Sequence, residues 1–240
     1  MNQAQYIKGM LQRHSMEVCR AVATPLDAGF QVACSDEKCV IQDVTMYQSA
    51  IGELMWLALT SRPDIYHSVI KLAQRNKEPH SEHVAAVKHV MRYLAATKDL
   101  KLHYRSCGDA LTGYADADWG GDVSNRKSYT GYVFFLAGGP ISWKSEKQCS
   151  VVLSSTEAEY MAMSSAAKEA LHLRRLLIEI GCGDAGTSTK LFGDNLSAQS
   201  LAKNPVFHAR SKHIDIRHHF VREVVTRGEI DLDYISTKDM

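Results

Sequence analysis

At 240 residues, with 45% hydrophobic and 23% charged positions, the chain is long enough for one or two domains with a buried core. Its 15 Gly and 5 Pro exclude collagen-like, low-complexity and wholly disordered readings. Twenty-eight Lys and Arg against 27 Asp and Glu leave a formal charge of +1, so any nucleic-acid contact is local rather than the work of a polycation.

Residues 1–45 carry turn signals at Thr24-Pro25 and Ala28-Gly29 but no regular apolar pattern. From residue 46 to 97 the spacing predicts three short helices, separated at Arg62-Pro63-Asp64 and at Glu78-Pro79. Ile51, Leu54, Met55 and Ala58 mark the buried face of the first; the third follows a Ser81 cap and buries Val84, Val87, Met91 and Leu94. Beyond about residue 98–110 the texture changes to short alternating segments. Strands are predicted over 111–119, 129–137 and 141–143, the last running on toward Val151 and Leu153. The connections are a loop at 120–125 and a turn at Gly138-Gly139-Pro140, tight enough that these strands should be antiparallel. A long helix over 155–180, a strand ending at 190–193, a short helix from Asn195, a helix over 215–226 and a last strand over 229–235 follow, as in an α/β unit.

Acidic residues recur where this scheme makes them costly. The first strand reads Tyr114-Ala-Asp-Ala-Asp-Trp119, and its two-residue period puts Asp116 and Asp118 on one face with Tyr114. Carboxylates on one face of a central strand repel one another unless a cation sits between them; the plainer reading leaves them in water at the strand's end. On the long helix Ser154 and Glu157 make a capping box, and Glu157 continues into a solvent-like face with Ser164, Lys168, His172 and Arg175. Glu159 instead shares the stripe of Ala162, Met163, Ala166, Ala170, Leu173 and Leu177 that must face the sheet, unless it makes a second cap contact. Asp194 ends the next strand, where open α/β sheets place ligands; taken alone it reads equally as a helix cap. Jointly the three acids suit two Mg²⁺ ions holding a scissile phosphate.

The residues also carry a resemblance. Residues 111–240 resemble the ribonuclease H domain of copia-type retrotransposon polyproteins, through Tyr114-Ala-Asp-Ala-Asp-Trp119, Ser142-Trp-Lys-Ser145, Ser154-Ser-Thr-Glu-Ala-Glu-Tyr160, Asp194-Asn195 and Lys212-His-Ile-Asp-Ile-Arg217. Residues 1–105 look like the stretch that follows the polymerase active site in the same polyproteins, at Tyr47, Ile51-Gly52, Arg62-Pro63-Asp64 and Arg92-Tyr93-Leu94. The resemblance implies a ribonuclease H-like mixed sheet with flanking helices over 106–240, preceded by a small thumb- or connection-like helical region over 1–105. It makes Asp116, Glu159 and Asp194 the catalytic metal ligands for Mg²⁺, with Asp118 where the family often carries a small polar residue. The implied reaction is endonucleolytic cutting of the RNA strand of an RNA–DNA hybrid, read by shape and 2′-hydroxyls. The polymerase's aspartate pair belongs upstream of these landmarks, and the family's fourth carboxylate just beyond Thr237-Lys-Asp-Met240, so neither DNA synthesis nor a complete two-ion site is expected.

On the 215–226 helix Ile216, Phe220 and Val224 form the packing stripe, leaving Arg217, Arg222 and Lys212 outward as hybrid-backbone contacts or as a solvated basic face. His208, His213, His218 and His219 lack the spacing and the Cys partners of a zinc site. Cys19, Cys34, Cys39, Cys107, Cys149 and Cys182 are scattered without a CxxC pair, which favours free thiols in a reducing compartment, cytoplasmic or nuclear. The start has no apolar signal core and no run reaches membrane-span length, so no membrane is expected; the rest of a Pol polyprotein is the natural partner. Two rival roles stand beside the enzyme: an inactive transposon fragment, and a secreted effector. Copia-like fragments have also been named RxLR-type effectors of oomycetes, which act on host plant proteins and suppress cell death. Arg92-Tyr-Leu-Ala95 and Arg174-Arg-Leu-Leu177 are degenerate forms of that motif, far from the start.

Overall fold

The helical and the alternating textures fold as separate units. A computed structural model describes residues 1–27, 29–32, 41, 43–106, 108–184, 186–203 and 212–238. The first unit comprises Met1–His103 with Asp122–Ser124, the second Tyr104–Gly121 with Asn125–Met240.

In the first unit four helices, α1 (Ala4–Arg13), α2 (Val44–Thr60), α3 (Tyr66–Ala73) and α4 (Ser81–Ala96), surround Leu54, Leu57, Val69, Leu72, Val90 and Leu94, all fully buried. Helix α1 lies where no apolar pattern was legible; it contributes Ile7, Met10 and Leu11. Pro63 starts a single 3-10 turn (Pro63–Ile65) that breaks α2 from α3, its missing N–H costing nothing at that position. Arg62 beside it is 3% exposed and fully engaged: it donates to both Asp64 oxygens and to the Thr97 carbonyl and hydroxyl. Ser81 is the first residue of α4 rather than its cap. His80 takes that place, its backbone N–H donating to His83 Nδ1 at 2.9 Å, which leaves the His83 Nε2 hydrogen for the Val32 carbonyl at 3.0 Å.

The second unit is built on a five-stranded sheet in the order β3-β2-β1-β4-β5. Strands β1 (Thr112–Asp118), β2 (Tyr129–Leu136) and β3 (Gly139–Lys147) are antiparallel neighbours; β4 (Thr189–Gly193) and β5 (Ile230–Tyr234) add in parallel. β2 turns into β3 through Ala137 and Gly138, at φ 55° and 72°, the doubly left-handed hairpin turn whose twist matches the strands. β3 ends at Lys147, so Val151–Leu153 is not strand: Val152 turns inward to pack with Ala117 and Ala158, while Leu153 is exposed. Gly113 on β1 is required by its neighbour, because a Cβ there would lie 2.3 Å from the fully buried Phe134 ring.

Helix α5 (Ser155–Glu179) crosses the sheet, joined by α6 (Leu196–Lys203) and α7 (Lys212–Thr226). Ala158, Ala162, Ala166, Ala167 and Ala170 give α5 a small-residue surface that approaches closely on more than one side. That is why Ser164, expected on the solvent-like face, is 0% exposed, whereas Lys168, His172 and Arg175 do face water. On α7 the packing stripe is carried by Val221 and Val224, with Phe220 at its edge. Cys19, Cys149 and Cys182 are free thiols; Cys34, Cys39 and Cys107 lie outside the described residues. Among the described residues no helix is long and apolar enough to cross a membrane.

Candidate metal centre

The site arises where two parallel strands part. β1 and β4 pair only through Thr112–Tyr114 and Lys190–Phe192, after which β1 continues to Asp118 while β4 ends at Gly193. The result is a crevice at the carboxyl ends of the pair, the place where open α/β sheets bind ligands. Asp116 enters it from β1, Asp194 directly after β4, and Glu159 from the start of α5. One carboxylate oxygen from each lies within 4.8 Å of the other two, and among the described residues these acids form the metal-competent group.

Local hydrogen bonding relieves Glu159 and Asp194 of helix capping. Ser154 Oγ accepts from the Glu157 N–H at 3.2 Å, and Glu157 reaches back to accept from Leu153 N–H at 2.8 Å, so α5 is capped without Glu159. Asn195 Oδ1 accepts from the Ala198 N–H at 2.9 Å and caps α6, which relieves Asp194 of that function. Asp194 Oδ2 instead accepts from the Thr237 hydroxyl at 2.5 Å. Asp118 is not in the group; its carboxylate packs against Gly121, where a Cβ would lie 1.9 Å from Oδ2.

The electrostatics are those of crowded negative charge. Burial, then the nearby charges of Asp116 and Asp194, push the Glu159 carboxyl up to about 8. Asp116 is raised by partial burial and by Asp194 and Asp118, although the residue as a whole remains exposed. The Ala117 backbone N–H opposes the shift in both.

The basic residues of α7 fare differently. Lys212 and Arg217 lie on the helix, their side chains outside the described set. Arg222 does not point outward as expected: it is half-buried, its Nε is sealed from solvent, and its charge lies near the Tyr160 hydroxyl, because it flanks the Val221 and Val224 stripe. His208 and the side chains of His213 and His218 are outside the described residues. Trp119 at the end of β1 is 54% exposed, its indole N–H directed at the Val152 carbonyl.

No protein-family profile matches the chain. It is 40% identical over 245 residues to the Retrovirus-related Pol polyprotein from transposon TNT 1-94 of Nicotiana tabacum, covering 100% of this chain and 18% of that protein. With the Pol polyprotein from transposon RE1 of Arabidopsis thaliana the identity is 38% over 242 residues, again across 100% of the chain. Along its whole length the chain is thus similar to one segment of copia-type retrotransposon Pol polyproteins. It spans less than a fifth of the length of these copia-type relatives. Half of it is also similar to a shorter protein: over 128 residues, 53% of this chain and 90% of the other, it is 48% identical to Secreted RxLR effector protein 161 of Plasmopara viticola. The fold aligns with the foamy viral protease-reverse transcriptase in complex with RNA/DNA hybrid at TM-score 0.50 and 15% identity, over 86% of this chain and 26% of that one. The second unit has the ribonuclease H-like fold, with an acidic triad at the parting of β1 and β4.

Proposed function

We propose that this chain cuts the RNA strand of RNA–DNA hybrids in a Mg²⁺-dependent reaction, with Asp116, Glu159 and Asp194 as the metal ligands. The observation that carries this reading is the meeting of three carboxylates from distant segments, within 4.8 Å of one another. Identity to Pol polyproteins along the whole chain supports it.

The donor set fits the ion. All three ligands are hard carboxylate oxygens, as Mg²⁺ prefers, and they converge on one spot from three separate segments. Glu159 would release its proton as the ion arrives, so uptake is coupled to pH. A bound ion would supply Lewis-acid stabilisation of the scissile phosphate and a more acidic attacking water. The chain's own part is to hold its carboxylates at the open end of the β1–β4 crevice, where the Ala117 amide steadies their charge. Lys212 and Arg217 on α7 would add phosphate contacts, which position the duplex without reading its sequence.

The test is incubation of the purified chain with Mg²⁺ and an end-labelled hybrid. Internal cuts confined to the RNA strand, absent with EDTA and absent in Asp116→Asn, are expected. An intact hybrid despite measurable Mg²⁺ binding would overturn the nuclease reading in favour of an inactive transposon-derived domain.

The likeness to the Plasmopara viticola protein favours a second reading, a secreted effector acting on host plant proteins. The nuclease reading places the chain in the cytoplasm or nucleus, the effector reading outside its cell of origin and inside a host cell. Suppression of host cell death by wild type and Asp116→Asn alike, with the chain recovered from secretions, would select the effector.

A further inference from the structure

Two buried glutamines stand behind the acids, and neither belongs to the triad. Gln148, 4% exposed in the loop after β3, donates from Nε2 to Thr130 Oγ1 and to the Ala158 carbonyl, both at 3.0 Å. Gln199, 5% exposed on α6, donates from Nε2 to the Gly193 carbonyl at 3.1 Å and the Asp233 carbonyl at 2.8 Å. Ala158 and Gly193 are the residues immediately before Glu159 and Asp194. In both places, therefore, an amide grips the peptide group that leads into a carboxylate.

The second hydrogen bond from each Nε2 reaches the sheet. Thr130 on β2 pairs with Ala117, next to Asp116, and Asp233 lies on β5 beside β4. Carbonyls only accept, so each amide must turn its NH₂ toward them, and its orientation is settled. For Gln148 this leaves Oε1 buried with no partner among the described residues, next to the apolar cluster of Ala117, Val152, Ala158, Met161 and Ala162. An apolar side chain would avoid that unpaired acceptor, so packing alone does not account for a glutamine there.

We propose that Gln148 and Gln199 are positioning residues that set Glu159 and Asp194 around Asp116 and thereby fix the affinity for a divalent cation. The inference rests on reading the three acids as metal ligands. Partners one step removed from a metal commonly govern its affinity by tenfold or more.

The experiment is Mg²⁺ binding to the full chain by calorimetry, with thermal unfolding in metal-free buffer, for Gln148→Met, Gln199→Met and, as a reference, Glu159→Gln. Methionine keeps the length and removes the donors. At least about tenfold weaker Mg²⁺ binding is expected in each glutamine variant, with metal-free melting close to wild type. A role in stability alone would move the melting and spare the affinity. Wild-type affinity in both folded glutamine variants, with binding lost in Glu159→Gln, would overturn the positioning role. Undiminished binding in Glu159→Gln would instead remove the metal centre, and this inference with it. Should Gln148→Met fail to fold, Thr130→Val removes one of the two anchors: weaker binding supports the role and wild-type binding refutes it.

Discussion

Asp64 in the first unit and Glu159 in the second are carboxylates drawn partly out of water, and their surroundings push them in opposite directions. Burial acts to raise Asp64, but the hydrogen bonds and charge of Arg62, with the Tyr93 hydroxyl at 2.8 Å, outweigh it and hold the acid below its ordinary range. Glu159 meets burial together with further negative charge and rises to about 8. The first arrangement is complete as folded: the Arg62 guanidinium also lies over the Tyr93 ring, 5.5 Å from its centroid, and satisfies Thr97. The second sets three carboxylates facing one another, a crowding that a bound cation would relieve. Within one chain, the sign of the shift reports whether an acid's neighbours are cationic or anionic.

The largest effect that could break this comparison is chemical. Asp116→Asn should reduce hybrid cleavage at least about a hundredfold, as loss of one fixed electrostatic group does in other active sites. The same change should lower the Glu159 pKa from about 8 toward its ordinary 4.5, because a neighbouring charge is gone; carboxyl NMR titration would show it, and an unmoved Glu159 would contradict the crowding. Next in size, Arg62→Met should cost about 1–3 kcal/mol in urea unfolding, because the Thr97 carbonyl and hydroxyl and the partly exposed Asp64 carboxylate lose their charged donor, with Mg²⁺ affinity unchanged. A loss under about 1 kcal/mol would show that Arg62 and Asp64 are merely adjacent.

A smaller and more diagnostic effect is on pH. The folded pKa of Glu159 lies above its unfolded value, so its contribution to stability is fully present below about 4.5 and is lost as pH rises through about 8. Asp64 runs the other way: its contribution is present above 3.8 and is lost as pH falls. Metal-free urea midpoints should therefore decline between about pH 4.5 and 8 and level off above it, and Mg²⁺ should offset the decline by binding the ionised site. A flat metal-free profile would remove Glu159 from the account. The smallest effect tests the cap that starts α5: Ser154→Ala should cost about 1 kcal/mol of stability. Far more than that in Mg²⁺ binding energy would show that the cap also sets the position of Glu159.

Much of this was legible because it is local or periodic. The two-residue repeat of β1 separates Asp116 from Ala115 and Ala117, and the apolar stripe of α5 marks Glu159 as inward. Asp194 was ambiguous until Asn195 proved to be the cap of α6. What could not be read depends on contacts between distant segments. Ser164 reads as solvent-facing from its helical position, yet α5 is packed on more than one side and the residue is wholly buried. Arg222 reads as outward by the same rule and is turned in beside Tyr160. The His80 cap of α4 replaces the more usual serine next to it because His83 lies within reach to reciprocate. Gln148 and Gln199 carry no sequence signal, since an isolated glutamine reads as surface until its amide is seen between two elements. The resemblance to copia-type polyproteins supplied what periodicity could not, an expected reaction and substrate for the three acids.

The early end of β4 has a consequence of its own. Each added rung between β1 and β4 would strengthen the sheet by another backbone pairing, yet it would also engage the Ala117 amide that now faces Asp116 and Glu159. Lengthening this five-residue strand would zip shut the opening between β1 and β4 beside which Asp116 and Glu159 meet.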